Sequence, residues 1–251
     1  MYNKMFMASK PHTDEVYRPK RVPKNPIKFK LQLNEEQKLA KQTILDSTIT
    51  LLGGGAGSGK TLLACNVALD GLLRRMYDKI IITRPTVSKE EIGFLPGDLR
   101  EKMDPWVQPI YQNFFALYDK VKIEKLIDDG KIEIVPVSFM RGRTFMDSMI
   151  IVDEAQNVTH DQMEMITSRI GLRSKMVICG DDHQIDLRKR SDSGFRFLYK
   201  GARGIKNLSA ITLSTNHRDP IVEDLIKYYE DAADKGITIT TSGSYNYKNK
   251  K

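Results

Sequence analysis

Thr48-Ile49-Thr50-Leu51-Leu52, then Gly53-Gly54-Gly55-Ala56-Gly57-Ser58-Gly59-Lys60-Thr61, then an apolar helical pattern from Lys60 to Met76: this stretch decides the fold. A short β-branched run reads as a buried strand, and the pattern after the glycines has helical length. Residues 54–61 fit G-x-x-x-x-G-K-[ST] in full, between a strand and a helix, where that motif has chemical meaning. Glycines let the loop curl until successive backbone N–H groups point inward, and the helix N-terminus adds partial positive charge. Gly54, Gly55, Ala56, Gly57, Ser58 and Gly59 are therefore the candidate phosphate cradle. Lys60 is the candidate for the β- and γ-phosphates of ATP, and the Thr61 hydroxyl for Mg2+.

Further apolar runs lie at 79–83, 131–135, 148–152, 175–179 and 208–213, with helical patterns at 161–170 and 220–235 between or after them. A helix from Glu35 to about Asp46, capped by Asn34, precedes the first strand, with Leu39, Ile44 and Leu45 available for burial. Near-continuous apolar strands alternating with helices predict an α/β fold with a parallel sheet covered on both faces. Segment 93–115, with Pro96, Pro105 and Pro109, reads as an insertion that moves between nucleotide states.

Two of these strands end in polar groups. Met149-Ile150-Ile151-Val152 runs into Asp153-Glu154-Ala155-Gln156, which puts carboxylates where open α/β sheets bind ligands. Asp153 is the candidate Mg2+ residue and Glu154 the candidate general base for an attacking water, a pairing that favours hydrolysis over phosphate transfer. Val177-Ile178-Cys179 runs into Gly180-Asp181-Asp182-His183-Gln184, where Gln184 is a candidate γ-phosphate sensor or a surface-turn residue.

The chain has 251 residues and a net charge of +8. Residues 1–30 carry +6 and the last ten +3, leaving 31–241 at −1. The predicted organisation is a basic, proline-containing arm (1–30), one ATPase domain (31–241) and a basic tail (242–251). The tails are either contacts for phosphate backbones or solvated ends. No apolar run approaches the roughly 20 residues of a membrane helix, so no membrane partner is expected. Cys65 and Cys179 in apolar contexts predict buried free thiols in a reducing, cytoplasmic setting.

Across roughly 31–235 the sequence resembles the PhoH-like family of P-loop ATPases, relatives of the superfamily 1 helicases. The resemblance rests on Leu33-Asn34-Glu35-Glu36-Gln37, the phosphate loop, Thr83-Arg84-Pro85, Gly93-Phe94-Leu95-Pro96-Gly97-Asp98-Leu99, Met140-Arg141-Gly142-Arg143-Thr144, Asp153 through Asn157, and Gly180-Asp181 through Gln184-Ile185-Asp186-Leu187. It implies a RecA-like core and RNA-helicase-like ATP hydrolysis. Gln37 resembles the glutamine with which such helicases read adenine, a surface helix residue being the other reading. Some relatives carry an N-terminal nuclease domain, for which 30 residues are too few. Many read Arg-His-Pro where this chain has Asn216-His217-Arg218-Asp219-Pro220, so the frame of Arg218 differs.

Because such helicases complete their site with an arginine from a second domain, one core implies a head-to-tail homo-oligomeric ring, the hexamer being the form expected. Arg218, Arg141, Arg143 and Arg84 are candidates for that arginine. Arg84, Arg141 and Arg143 are alternatively phosphate contacts for RNA or single-stranded DNA, with Phe139, Phe145, Trp106 and Tyr111 as stacking platforms. Two other functions remain open: a nucleotide-switched binding module, and a P-loop kinase.

Overall fold

Apolar side chains at every position of a strand require cover on both faces of the sheet, and the computed structural model provides it. Residues 32–85, 99–201 and 204–217 are described, with isolated positions from 219 to 246 and without the side chains of 99–106. The expected arm (1–30), Arg218, most of the tail and most of the helix expected over 220–235 lie outside the described residues. The chain divides into two compact units, Met1–Thr215 and Asn216–Lys251. In the second, β7 (Thr238–Ile239) and β8 (Tyr245–Asn246) pair antiparallel.

In the first unit six strands pair in parallel: β1 (Ile49–Gly54), β2 (Lys79–Thr83), β3 (Ile132–Ile134), β4 (Ser148–Val152), β5 (Lys175–Gly180) and β6 (Leu208–Leu213). Their order is β3-β2-β4-β5-β1-β6. Successive side chains alternate between two cores, as a period of two demands. Leu52, Ile80, Ile82, Met149, Ile151, Val177 and Cys179 enter one, while Leu51, Ile81, Ile150, Val152, Met176 and Ile178 enter the other. The first core is closed by α1 (Glu35–Asp46), α2 (Lys60–Leu73), α3 (Leu99–Leu117) and α4 (Lys120–Asp128). The second is closed by α5 (His160–Thr167), α6 (Gly194–Gly201) and the 137–145 segment. Among the described residues no helix is long and apolar enough to cross a membrane.

Two expectations, those for Leu39 and Phe145, need correcting. Leu39 is 63% exposed, and Ala40 takes the inward position instead. The cause is the phase set at the helix start: Asn34 and Gln37 form a reciprocal capping box, which turns Gln37, Ala40 and Ile44 inward. Of the segment 93–115, residues 93–98 lie outside the described residues, and the rest is helical, α3 running through Pro105 and Pro109. Val107, Ile110, Phe114 and Leu117 form its buried stripe, and Pro109 sits on the exposed side, where a missing N–H costs least. Phe145 is 5% exposed and belongs to the second core, so it offers no open face for stacking. Both cysteines are buried free thiols, and burial pushes their pKa values up.

Candidate active site

The strand order brings the three polar strand ends together. Strand β5 lies between β1 and β4, so the loop after it sits between the glycine loop and the Asp-Glu pair. Helix α2 starts at a left-handed Gly59 (φ 82°), a conformation that side chains with a Cβ avoid. The Ser58 hydroxyl donates to the Gly55 carbonyl (2.8 Å) and stiffens the loop. Lys60 Nζ donates to the carbonyls of Gly54 (2.8 Å) and Gly55 (2.9 Å), which places its ammonium across the mouth of the cradle.

Thr61 Oγ1 donates to Asp153 Oδ1 at 2.6 Å, bridging from the start of α2 to the end of β4. Asp153 is 6% exposed. Desolvation raises its pKa and Glu154 adds to the rise, while the Thr61 hydroxyl and Arg84 oppose it. A hydroxyl and a buried carboxylate in direct contact are oxygen ligands of the kind that suit Mg2+, whose charge would stabilise the ionised carboxylate.

Glu154 adopts a left-handed backbone (φ 49°), unusual for a residue with a Cβ and characteristic of strained functional positions. Its carboxylate is held from two sides. Gln156 Nε2 donates to Oε2 (2.7 Å), and an Arg84 guanidinium nitrogen lies 3.8 Å from Oε1. Gln156 is 2% exposed, and its Oε1 accepts from the backbone N–H of Asp181 (3.1 Å). Asn157 adds a reciprocal pair with Asp186: its Nδ2 donates to Oδ2 (2.9 Å), and its Oδ1 accepts from the Asp186 N–H (2.8 Å). The segment after β4 thus grips the loop after β5 at two points. Neither Gln156 nor Asn157 stands out by residue type. The signal for them was their position in the Asp153–Asn157 motif, opposite a second polar strand end.

The remaining expected site residues are dispersed. Gln37 is buried on α1, and its Oε1 accepts from the Asn34 N–H (3.2 Å), so a local capping role accounts for that oxygen. Gln184 is exposed in the turn after Asp181, to whose carbonyl its N–H donates. Arg84, a candidate trans arginine or nucleic-acid contact, lies against Glu154 of its own chain. Arg143 is tied to Glu133 on β3 (2.9 Å) and lies over the Phe145 ring (4.8 Å). Arg141 is exposed and has no ion-pair partner among the described residues. Phe139 is 58% exposed. Tyr111 packs edge-tilted near Phe115 on α3, and the Trp106 side chain and Arg218 lie outside the described residues.

The PhoH-like protein family model matches residues 31–230. The PhoH-like protein of Synechocystis sp. is 39% identical over 185 residues, 72% of this chain and 56% of its own. That of Bacillus subtilis is 44% identical over 180 residues, covering 70% and 56%. That of Mycobacterium tuberculosis is 45% identical over 161 residues, covering 64% and 46%. The chain spans about half the length of these curated relatives. Among solved structures, the Pif1 helicase from Candida albicans superposes with TM-score 0.44 at 16% identity, covering 80% of this chain and 44% of that one. The large terminase of a thermophilic bacteriophage superposes with TM-score 0.47 at 11% identity, covering 78% and 50%.

Proposed function

Because this chain belongs to the PhoH-like protein family, we propose that it is a Mg2+-dependent ATP hydrolase whose turnover is coupled to RNA or single-stranded DNA. The observation that carries the reading is the doubly held Glu154, beside Thr61 and Asp153 and bonded through Gln156 to the loop after β5. Bound Mg2+ neutralises charge on the β- and γ-phosphates. Thr61 and Asp153 hold that ion, while Lys60 and the loop N–H groups orient the phosphates. Glu154 takes the proton of the attacking water, and Gln156 keeps its carboxylate aimed. Gln184 reports the γ-phosphate through the same loop, and Gln37 is the residue proposed to read adenine through its amide.

Coupling to a polymer is supported by the grip of Gln156 and Asn157 on the loop after β5, because movement there reaches Glu154 directly. Exposed Arg141 and Phe139 supply a cation and an aromatic face near one another in sequence. With Arg84 engaged in its own site and Arg143 on Glu133, Arg218 and Arg141 are the arginines proposed to enter a neighbouring site in a closed ring. One observation favours the second reading, a slow nucleotide switch: Arg84 beside Glu154 neutralises the base until something draws it away. A P-loop kinase has little need of a glutamate placed to activate water.

ATP turnover of the purified chain, with and without single-stranded RNA or DNA and with Glu154→Gln as blank, tests the proposal. Stimulation of about tenfold or more, absent in the blank, supports coupling. Turnover indifferent to both polymers leaves the hydrolase and favours the switch.

A further inference from the structure

The near-neutral charge of residues 31–241 hides a local excess. Between 188 and 200 lie Arg188, Lys189, Arg190, Arg196 and Lys200 against Asp192 alone, a net of +4. Part of this segment wraps an open cavity of about 360 Å3, lined by His160 at the start of α5 and by Ser191, Arg196, Phe197 and Lys200. That volume falls at the lower end of the roughly 300–1,000 Å3 typical of small-ligand sites. Phe197 is 64% exposed, and the His160 ring meets it edge-on at 5.1 Å. His160 Nε2 is fixed by the Ser191 carbonyl at 2.8 Å. An exposed aromatic face is thereby braced beside two cations.

Those cations share one anion. Arg196 Nε lies 3.3 Å from Asp182 Oδ1, and Lys200 Nζ lies 3.3 Å from Oδ2. Arg190 donates to the carbonyls of Asp182 (2.7 Å) and His183 (3.3 Å). Asp182 directly follows Asp181, whose N–H is bonded to Gln156 and so to Glu154.

We propose that this cavity binds one nucleotide unit of a single-stranded nucleic acid, with its phosphate on Arg196 and Lys200 and its base stacked on Phe197. The inference rests on the polymer coupling proposed above and gives it a place. A phosphate can take the place of the Asp182 carboxylate on these two cations, and an exposed ring stacks on any base. The incoming phosphate competes with Asp182 for its two partners. Its arrival loosens the turn that Gln156 reads, which carries occupancy to the general base.

The test is anisotropy of labelled oligouridine and oligothymidine of about 12 nucleotides, titrated with the full chain across about 50–200 mM salt. Phe197 and Lys200 are exposed, so Phe197→Ala and Lys200→Gln are expected to keep the wild-type thermal midpoint, which is checked alongside. The proposal expects Phe197→Ala to weaken binding roughly 5- to 100-fold. It expects Lys200→Gln to reduce the salt slope by about 0.7. Asp182→Asn, which removes the competing anion, is expected to tighten binding, whereas a merely structural Asp182 would leave binding unchanged or weaker. A preference between the two oligomers identifies the sugar. If the wild type binds and all three folded variants bind like it, the cavity is overturned while the coupling stands. If the wild type binds neither oligomer, both are overturned.

Discussion

Gln156 serves two partners with one amide, donating to the Glu154 carboxylate and accepting from the Asp181 N–H. An alanine there leaves the phosphate cradle untouched but frees the base and orphans a buried N–H. We expect Gln156→Ala to lower kcat about 10- to 100-fold with a smaller change in the KM for ATP, measured by steady-state hydrolysis. Equal loss in binding would show that Gln156 shapes the nucleotide pocket instead. Lys60→Ala acts at a different point: its ammonium spans the cradle, so nucleotide affinity falls, and a fluorescent ATP analogue reads the loss directly.

At the scale of elements, Glu36 in the first turn of α1 joins that helix to the chain beyond β6. Its carboxylate accepts from the Ser214 N–H (2.7 Å), the Ser214 hydroxyl (2.6 Å) and the Thr215 N–H (3.1 Å). The Ser214 bonds above all lower its pKa from 4.5 to about 2. The folded state therefore binds fewer protons than the unfolded state between these values, and stability from this contact falls as pH drops from 4.5 through 2. Glu36→Gln should flatten the dependence of Tm on pH in that window; an unchanged slope would refute the linkage. Helix α3 is anchored by Phe114, which is fully buried, and Phe114→Ala should cost about 3–5 kcal/mol in denaturant unfolding.

These two elements also show what the sequence makes legible. Strands β2 and β4 fall where their apolar runs predict, because near-continuous burial leaves a local signal, and β6 also falls on its predicted run although most of it is only partly buried or exposed. Helix α3 was obscured because its stripe of Val107, Ile110, Phe114 and Leu117 is punctuated by prolines whose cost depends on which side faces water. Lys175, the charged residue that opens β5, is 1% exposed, with its amine on the Leu45 and Ser47 carbonyls, a burial its residue type does not signal. Burial pushes its pKa down to about 8. The cradle and the Asp-Glu pair were legible because phosphate chemistry dictates spacing. The Gln156 clamp and the basic cavity were not, since each depends on a contact between separate segments, 25 residues apart for Gln156 and Asp181 and 31 for His160 and Ser191.

For the whole molecule, the parallel order with β5 between β1 and β4 places the loop after β5 between the glycine loop and the Asp153-Glu154 pair, and Asp182 in that loop pairs with the basic segment. A site completed in trans requires assembly, so light scattering in saturating ATP and oligonucleotide should report a closed multimer. A monomer under those conditions would remove the ring. The most direct test of the account is ATP hydrolysis by the wild type and Glu154→Gln, each with Mg2+ and with chelator. The account predicts Mg2+-dependent turnover in the wild type, reduced about 10²–10⁴-fold in Glu154→Gln while nucleotide binding persists. Turnover that survives Glu154→Gln or needs no Mg2+ would contradict it.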